Sequence, residues 1–119
     1  MLSLWIDAAT GVRAIALDPE PFGKTDAGQL IAVTHELVHA EQWDQVRGQN
    51  AGNVAGAHAA FFGASHLDYA IREVLAERRA LQSVDRRLGG LDPQQAGHSR
   101  RFIEGWQSVV TALRGSPVP

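Results

Sequence analysis

The stretch from residue 26 to residue 47 constrains this chain more than any other. It reads as one helix that begins near Thr25 or Asp26. Asp26 is a good N-cap with Gln29 three residues on, and Gly48 stands after Arg47 as a stop. At about 100° per residue, Leu30, Ile31, Val33, Leu37, Val38, Trp43 and Val46 spread over most of the circumference. Only Thr34, Glu41, Asp44 and Gln45 gather into a clear polar stripe. A helix apolar on so many sides must be enclosed by the rest of the fold.

The remaining segments are read as the enclosure. Residues 2–6 (LSLWI) and 12–17 (VRAIAL) are short apolar runs with turn residues between them, as in a strand pair. Residues 18–23 hold two prolines and read as a loop. Residues 48–64, rich in Gly, Ala and Asn, read as a loop with a short helical turn around His58 to Phe62. A helix over 66–88 follows, with Ser65 as N-cap and Gly89 as stop. A last helix runs from Asp92-Pro93, a cap followed by proline at the first helical position, to about Leu113. Residues 1–114 then make one α+β, mostly α, domain, and 115–119 a flexible tail. Trp5, Trp43 and Trp106 read as core or rim packing.

With 45% hydrophobic and 20% charged residues, the chain can build one core, and wholesale disorder is excluded. A net charge of −2 argues against a dedicated nucleic-acid or anionic-membrane binder. Arg78-Arg79 and Arg86-Arg87 read as a solvated helix face. No run is apolar enough to span a membrane, and the opening MLSLWIDAATGVR lacks the basic start of a signal peptide, so a soluble cytoplasmic protein is expected. The chain has no cysteine, which excludes disulfides, thiolate metal sites and thiol nucleophiles. His, Asp and Glu remain as metal ligands.

Inside the first helix stands His35-Glu36-Leu37-Val38-His39, an H-E-x-x-H pattern. Residues four apart lie one above the other on a helix, so both imidazoles can reach one Zn²⁺. Glu36 sits about 100° round the helix, near the metal but not aimed at it, where it can take a proton from water. Ionisable groups in an otherwise buried helix need partners, and a metal supplies them. A catalytic zinc needs a third protein ligand and an open fourth position. The metzincin extension needs Gly at 42 and His at 45, and both are Gln here. A deformylase-type site needs a cysteine. The gluzincin solution is a glutamate from a following helix, and this chain has two candidates there, Glu73 and Glu77, one turn apart.

The segment Arg72-Glu73-Val74-Leu75-Ala76-Glu77 resembles the second motif of the gluzincins, which reads N-E-x-x-A-E in the aminopeptidase N group, with Arg72 in place of Asn. The resemblance covers roughly residues 30–80 and is strong only at the two motifs. The first motif continues to Gln42, as in small bacterial proteins that resemble stripped-down gluzincins. The resemblance implies a minimal zinc metallopeptidase acting on a peptide or protein substrate. It makes Glu73 the third zinc ligand, Glu36 the general base, and Glu77 the carboxylate that holds a ligand histidine by Nδ1. Glu77 remains open as the ligand, because Glu77 to Ala80 also fits E-x-x-A and lies nearer the centre of the apolar stripe. Ala76 and Ala80 are small enough to let the two helices approach.

Tyr69 is a candidate oxyanion donor or a packing residue. His66 reads as a helix-start histidine, a ligand or an oxyanion donor, while His58 and His98 read as surface or loop residues. A second reading is a catalytically silent, metal-stabilised interaction module, closed by a fourth ligand such as His66 or Glu77. The apolar 54–62 stretch leaves a homo-oligomeric interface open.

Overall fold

The computed structural model describes residues 2–17 and 26–119. The expected loop at 18–23 and a helix start at Thr25 lie outside the described residues. Two strands, β1 (Leu2–Ile6) and β2 (Arg13–Leu17), precede four helices: α1 (Asp26–Gln49), α2 (Val54–Phe62), α3 (His66–Leu88) and α4 (Pro93–Arg114). The fold is α+β and mostly helical, as expected.

The strands pair antiparallel with Leu4 opposite Ile15. Asp7 makes their turn: its Oδ1 accepts the N–H groups of Ala9 at 2.8 Å and Thr10 at 2.9 Å. Gly11 then takes a φ of 73°, a conformation that favours glycine. A Cβ at this residue would also sit 3.1 Å from the Arg47 guanidinium. The Gly11 carbonyl accepts the indole N–H of Trp43 at 3.2 Å, which pins the hairpin to α1. Arg13 of β2 adds an ion pair to Asp44 and a hydrogen bond to the Ala40 carbonyl.

Among the described residues, α1 packs against β1, α2 and α3. Ile6, Trp43, Ala57 and Phe61 form the cluster that joins hairpin, α1 and α2. Ile31 meets Ala80 and Val84 between α1 and α3. Ala70, Val74 and Val110 join α3 to α4, with Ile103 and Trp106 against them. Ala76 and Ala80 are fully buried, and Ala80 packs against Ile31 of α1. The enclosure of α1 is not complete, however: Leu37 is 50% exposed. Trp5, at 63% exposed, belongs to neither core nor rim.

Two expectations are corrected. Residues 54–62 form a helix, not a loop with one turn. Asn53 caps it by accepting the Gly56 N–H at 2.9 Å, and Ala57 and Phe61, four apart, bury against Trp43. The tail is docked. Val118 packs on the α3–α4 cluster, its N–H donates to Gln107 Oε1 at 2.8 Å, and Arg78 donates to the Pro119 carbonyl at 2.7 Å. Arg79 pairs with Glu41 across α1 and α3, yet its side chain stays 61% exposed, and Arg86 and Arg87 are exposed as well, as a solvated helix face requires. Among the described residues no helix is long and apolar enough to cross a membrane.

Candidate metal centre

Helices α1 and α3 bring the sequence-designated groups to one point. His35 and His39, one turn apart on α1, approach with their Nε2 atoms 3.0 Å apart. Glu73 of α3 closes on both: its Oε2 is 3.1 Å from His35 Nε2 and its Oε1 is 2.8 Å from His39 Nε2. A tetrahedral zinc with bonds of about 2.0–2.1 Å sets its ligand atoms roughly 3.3 Å apart. The three donors fit such an ion after an outward shift of a few tenths of an ångström. Glu36, His35 and His39 also offer ligand atoms within 4.8 Å of one another, but the shorter approach belongs to Glu73. Glu36 stands to one side.

Glu77 takes the other face of His35. Its Oε2 lies 2.7 Å from Nδ1, and a carboxylate can only accept, so Nδ1 donates to Glu77. Without a metal Nε2–H donates to Glu73, and with Nδ1 so occupied Nε2 is the nitrogen left to bind an ion once it gives up that proton. His39 is oriented by Gln42. The Gln42 Nε2 donates to the Arg72 carbonyl at 3.3 Å, which turns Oε1 toward His39 Nδ1 at 2.7 Å. His39 Nδ1 therefore donates, and both rings direct Nε2 at the same point. The edge of Phe102 from α4 covers His35, with ring centroids 5.6 Å apart. Glu36 Oε2 accepts the backbone N–H of Leu4 at 3.0 Å, so β1 holds the carboxylate in place. That contact uses one donor on the strand edge.

The electrostatics match the geometry. Burial alone would push the His35 pKa down, but the hydrogen bonds and charges of Glu73 and Glu77 outweigh it and raise it to about 9. Burial would raise Glu73, and its bonds to His35 and His39 instead hold it near 2. Glu36 is raised, chiefly by burial, against the opposing pull of the two histidines and the Leu4 N–H. A raised carboxylate is suited to general-base work near neutral pH. Tyr69 is also raised, by burial first and then by Glu73 and Glu36, and so keeps its phenolic proton.

Two predictions arise here. Gln42→Ala is expected to weaken zinc binding by about 10- to 100-fold without unfolding the chain, as loss of a group that orients a ligand histidine does. A competition titration with a chromophoric chelator measures it. The second concerns the metal-free chain. His35 has a folded-state pKa above its ordinary 6.5, so its stabilising contribution is full below about pH 6.5 and is lost as pH rises through 9. Glu73 is depressed from 4.5, so its contribution is full above about pH 4.5 and is lost as pH falls toward 2. In the presence of EDTA, Tm should therefore fall by roughly 5–10 °C between pH 6 and pH 9. A flat or rising Tm over that range would contradict this charge arrangement.

An open cleft of about 810 Å³ leads to the centre, walled by α1, α3 and α4, with Leu4, Phe61, Phe62 and Tyr69 at its sides. Neither candidate for a fourth ligand stands at the convergence point. Glu77 meets the opposite nitrogen of His35, and His66 lies exposed beside Trp106, with ring centroids 6.3 Å apart. Tyr69 lies in the cleft wall and also packs on Trp106 at 5.4 Å. His58, read as a surface or loop residue, is half-buried on α2 and stacks on Phe62 at 4.6 Å. His98, read the same way, belongs to α4 and faces the cleft. The orienting role of Gln42 was missed, although its i+3 spacing from His39 was a readable signal. The Leu4 N–H and Phe102 left no local signal. Compared with protein families, with curated proteins and with solved structures, the chain matches none.

Proposed function

We propose that this chain is a zinc-dependent metallopeptidase. One observation carries the reading: the Nε2 atoms of His35 and His39 and the carboxylate of Glu73 converge within 2.8–3.1 Å beside an uncommitted Glu36 oxygen, at the floor of an open cleft. His35, His39 and Glu73 would hold the ion. When bound, zinc supplies Lewis acidity, which polarises the scissile carbonyl and eases ionisation of a water molecule.

The remaining work belongs to the chain. Glu36 accepts the proton of the attacking water through the oxygen that Leu4 does not occupy, and then delivers it to the leaving amine. Glu77 and Gln42 keep both imidazoles in the tautomer that binds metal. The Tyr69 hydroxyl, still protonated, is a donor for the oxyanion that forms as the carbonyl becomes tetrahedral. Phe102 limits water on one side of His35. The exposed Phe62 and Tyr69 give the cleft an apolar wall for a peptide side chain.

The test is cleavage of an unstructured protein mixture, read by mass spectrometry. The zinc-loaded chain should produce new termini, EDTA should stop this, and added zinc should restore it. Absence of cleavage by fully zinc-loaded chain contradicts the reading.

A further inference from the structure

The cleft is lined by both acidic and basic side chains. Glu36, Glu73 and Glu77 line it from α1 and α3, and His98 and Arg101 line it from α4. The other guanidinium of the wall, Arg72, is committed: Nη1 donates to the Phe61 carbonyl at 2.8 Å, and the guanidinium lies over the Phe61 ring at 4.4 Å. Asp92, the acid at the α4 end, caps its own helix by accepting the Gln95 N–H at 2.9 Å. Arg101 differs from both. Among the described residues it has no ion pair and no hydrogen bond. Its Nη1 lies back along α4, where a Cβ on Gly97 would come within 3.3 Å of it. The missing side chain at 97 leaves this place for the guanidinium, on the turn that also carries His98.

The position relative to the centre follows from α4. Phe102, the next residue, touches His35 edge-on at 5.6 Å between ring centroids. His98 lies one turn earlier, about 6 Å along the helix. An extended peptide advances about 3.3 Å per residue. Arg101, beside Phe102, and His98, one turn earlier, therefore line the cleft within a few peptide residues of the centre.

The geometry points to a carboxylate subsite on α4, in which Arg101, with His98 beside it, binds a carboxylate of the substrate within a few residues of the scissile bond. The identity of the ligand as a peptide rests on the peptidase reading. A guanidinium with no partner among the described residues presents a planar pair of donors that matches a carboxylate. The carboxylate is either the chain end or an acidic side chain.

The experiment is equilibrium binding by fluorescence anisotropy to the zinc-loaded Glu36→Gln chain. Three labelled hexapeptides of one alanine–leucine sequence serve as probes: a free acid, its C-terminal amide, and an amide carrying glutamate two residues from the end. At least one carboxylate-bearing peptide should bind about tenfold tighter than the neutral amide. Arg101→Met should shrink that preference to under twofold, Arg101→Lys should keep part of it, and Arg86→Met, outside the cleft, should leave it intact. A gain by the free acid assigns the chain end, and a gain by the glutamate peptide assigns an acidic side chain. Equal affinity for all three, no measurable binding, or a preference that survives Arg101→Met would overturn the subsite. Cleavage by the parent chain is scored separately. Cleavage without carboxylate preference removes the subsite and leaves the peptidase, whereas an Arg101-dependent preference without cleavage does the reverse.

Discussion

Replacing Glu73 with alanine is expected to weaken zinc binding on the order of several hundredfold, while Glu77→Ala costs only about 10- to 100-fold. The difference follows from which nitrogen of His35 each carboxylate meets. Glu73 faces both Nε2 atoms, so its loss removes a ligand. A zinc site worth about 10–16 kcal/mol, shared over four donors, loses roughly 3–4 kcal/mol with one of them. Glu77 faces Nδ1, so its loss removes only the acceptor that fixes the tautomer. Isothermal titration with zinc on the metal-free variants measures both. Equal losses, or the larger loss from Glu77→Ala, would move the ligand one turn along α3.

The second large effect concerns turnover. Glu36→Gln should lower kcat by about a thousandfold or more while zinc content stays at the parent level. The amide keeps the shape of the carboxylate and still offers an oxygen to the Leu4 N–H. It cannot accept a proton, and general-base catalysis is typically worth about 10²–10⁴-fold. KM should change by no more than about threefold, because Glu36 contributes to the transition state rather than to uniform binding. Retention of activity within tenfold would remove Glu36 from the mechanism.

Several helix ends were legible because they are local. The Ser65 and Asp92 side chains accept the N–H of Asp68 and Gln95, and Gly89 adopts the left-handed stop that its position suggested, whereas Gly48 does not stop α1, which runs on to Gln49. Helix α2 was not legible: its Ala- and Gly-rich composition gives little period, and it is stabilised by Ala57 and Phe61 packing on a tryptophan of another helix. His35, Glu36 and His39 could be read from a spacing of one turn. Glu73 and Glu77 could not be separated by any helical wheel, since both lie on the buried face of α3. What separates them is the orientation of one imidazole on α1. Leu4, Phe102 and Arg101 reach the cleft only through the long-range placement of β1 and α4.

Metal content tests the central claim most directly. The chain, purified, freed of metal and then equilibrated with zinc and dialysed, should hold one zinc per chain by elemental analysis. X-ray absorption should show two nitrogen ligands from imidazole, with oxygen completing the coordination and no sulfur. A chain that keeps no zinc after this treatment would contradict the account, because His35, His39 and Glu73 would then be a buried ion-pair network and not a metal centre.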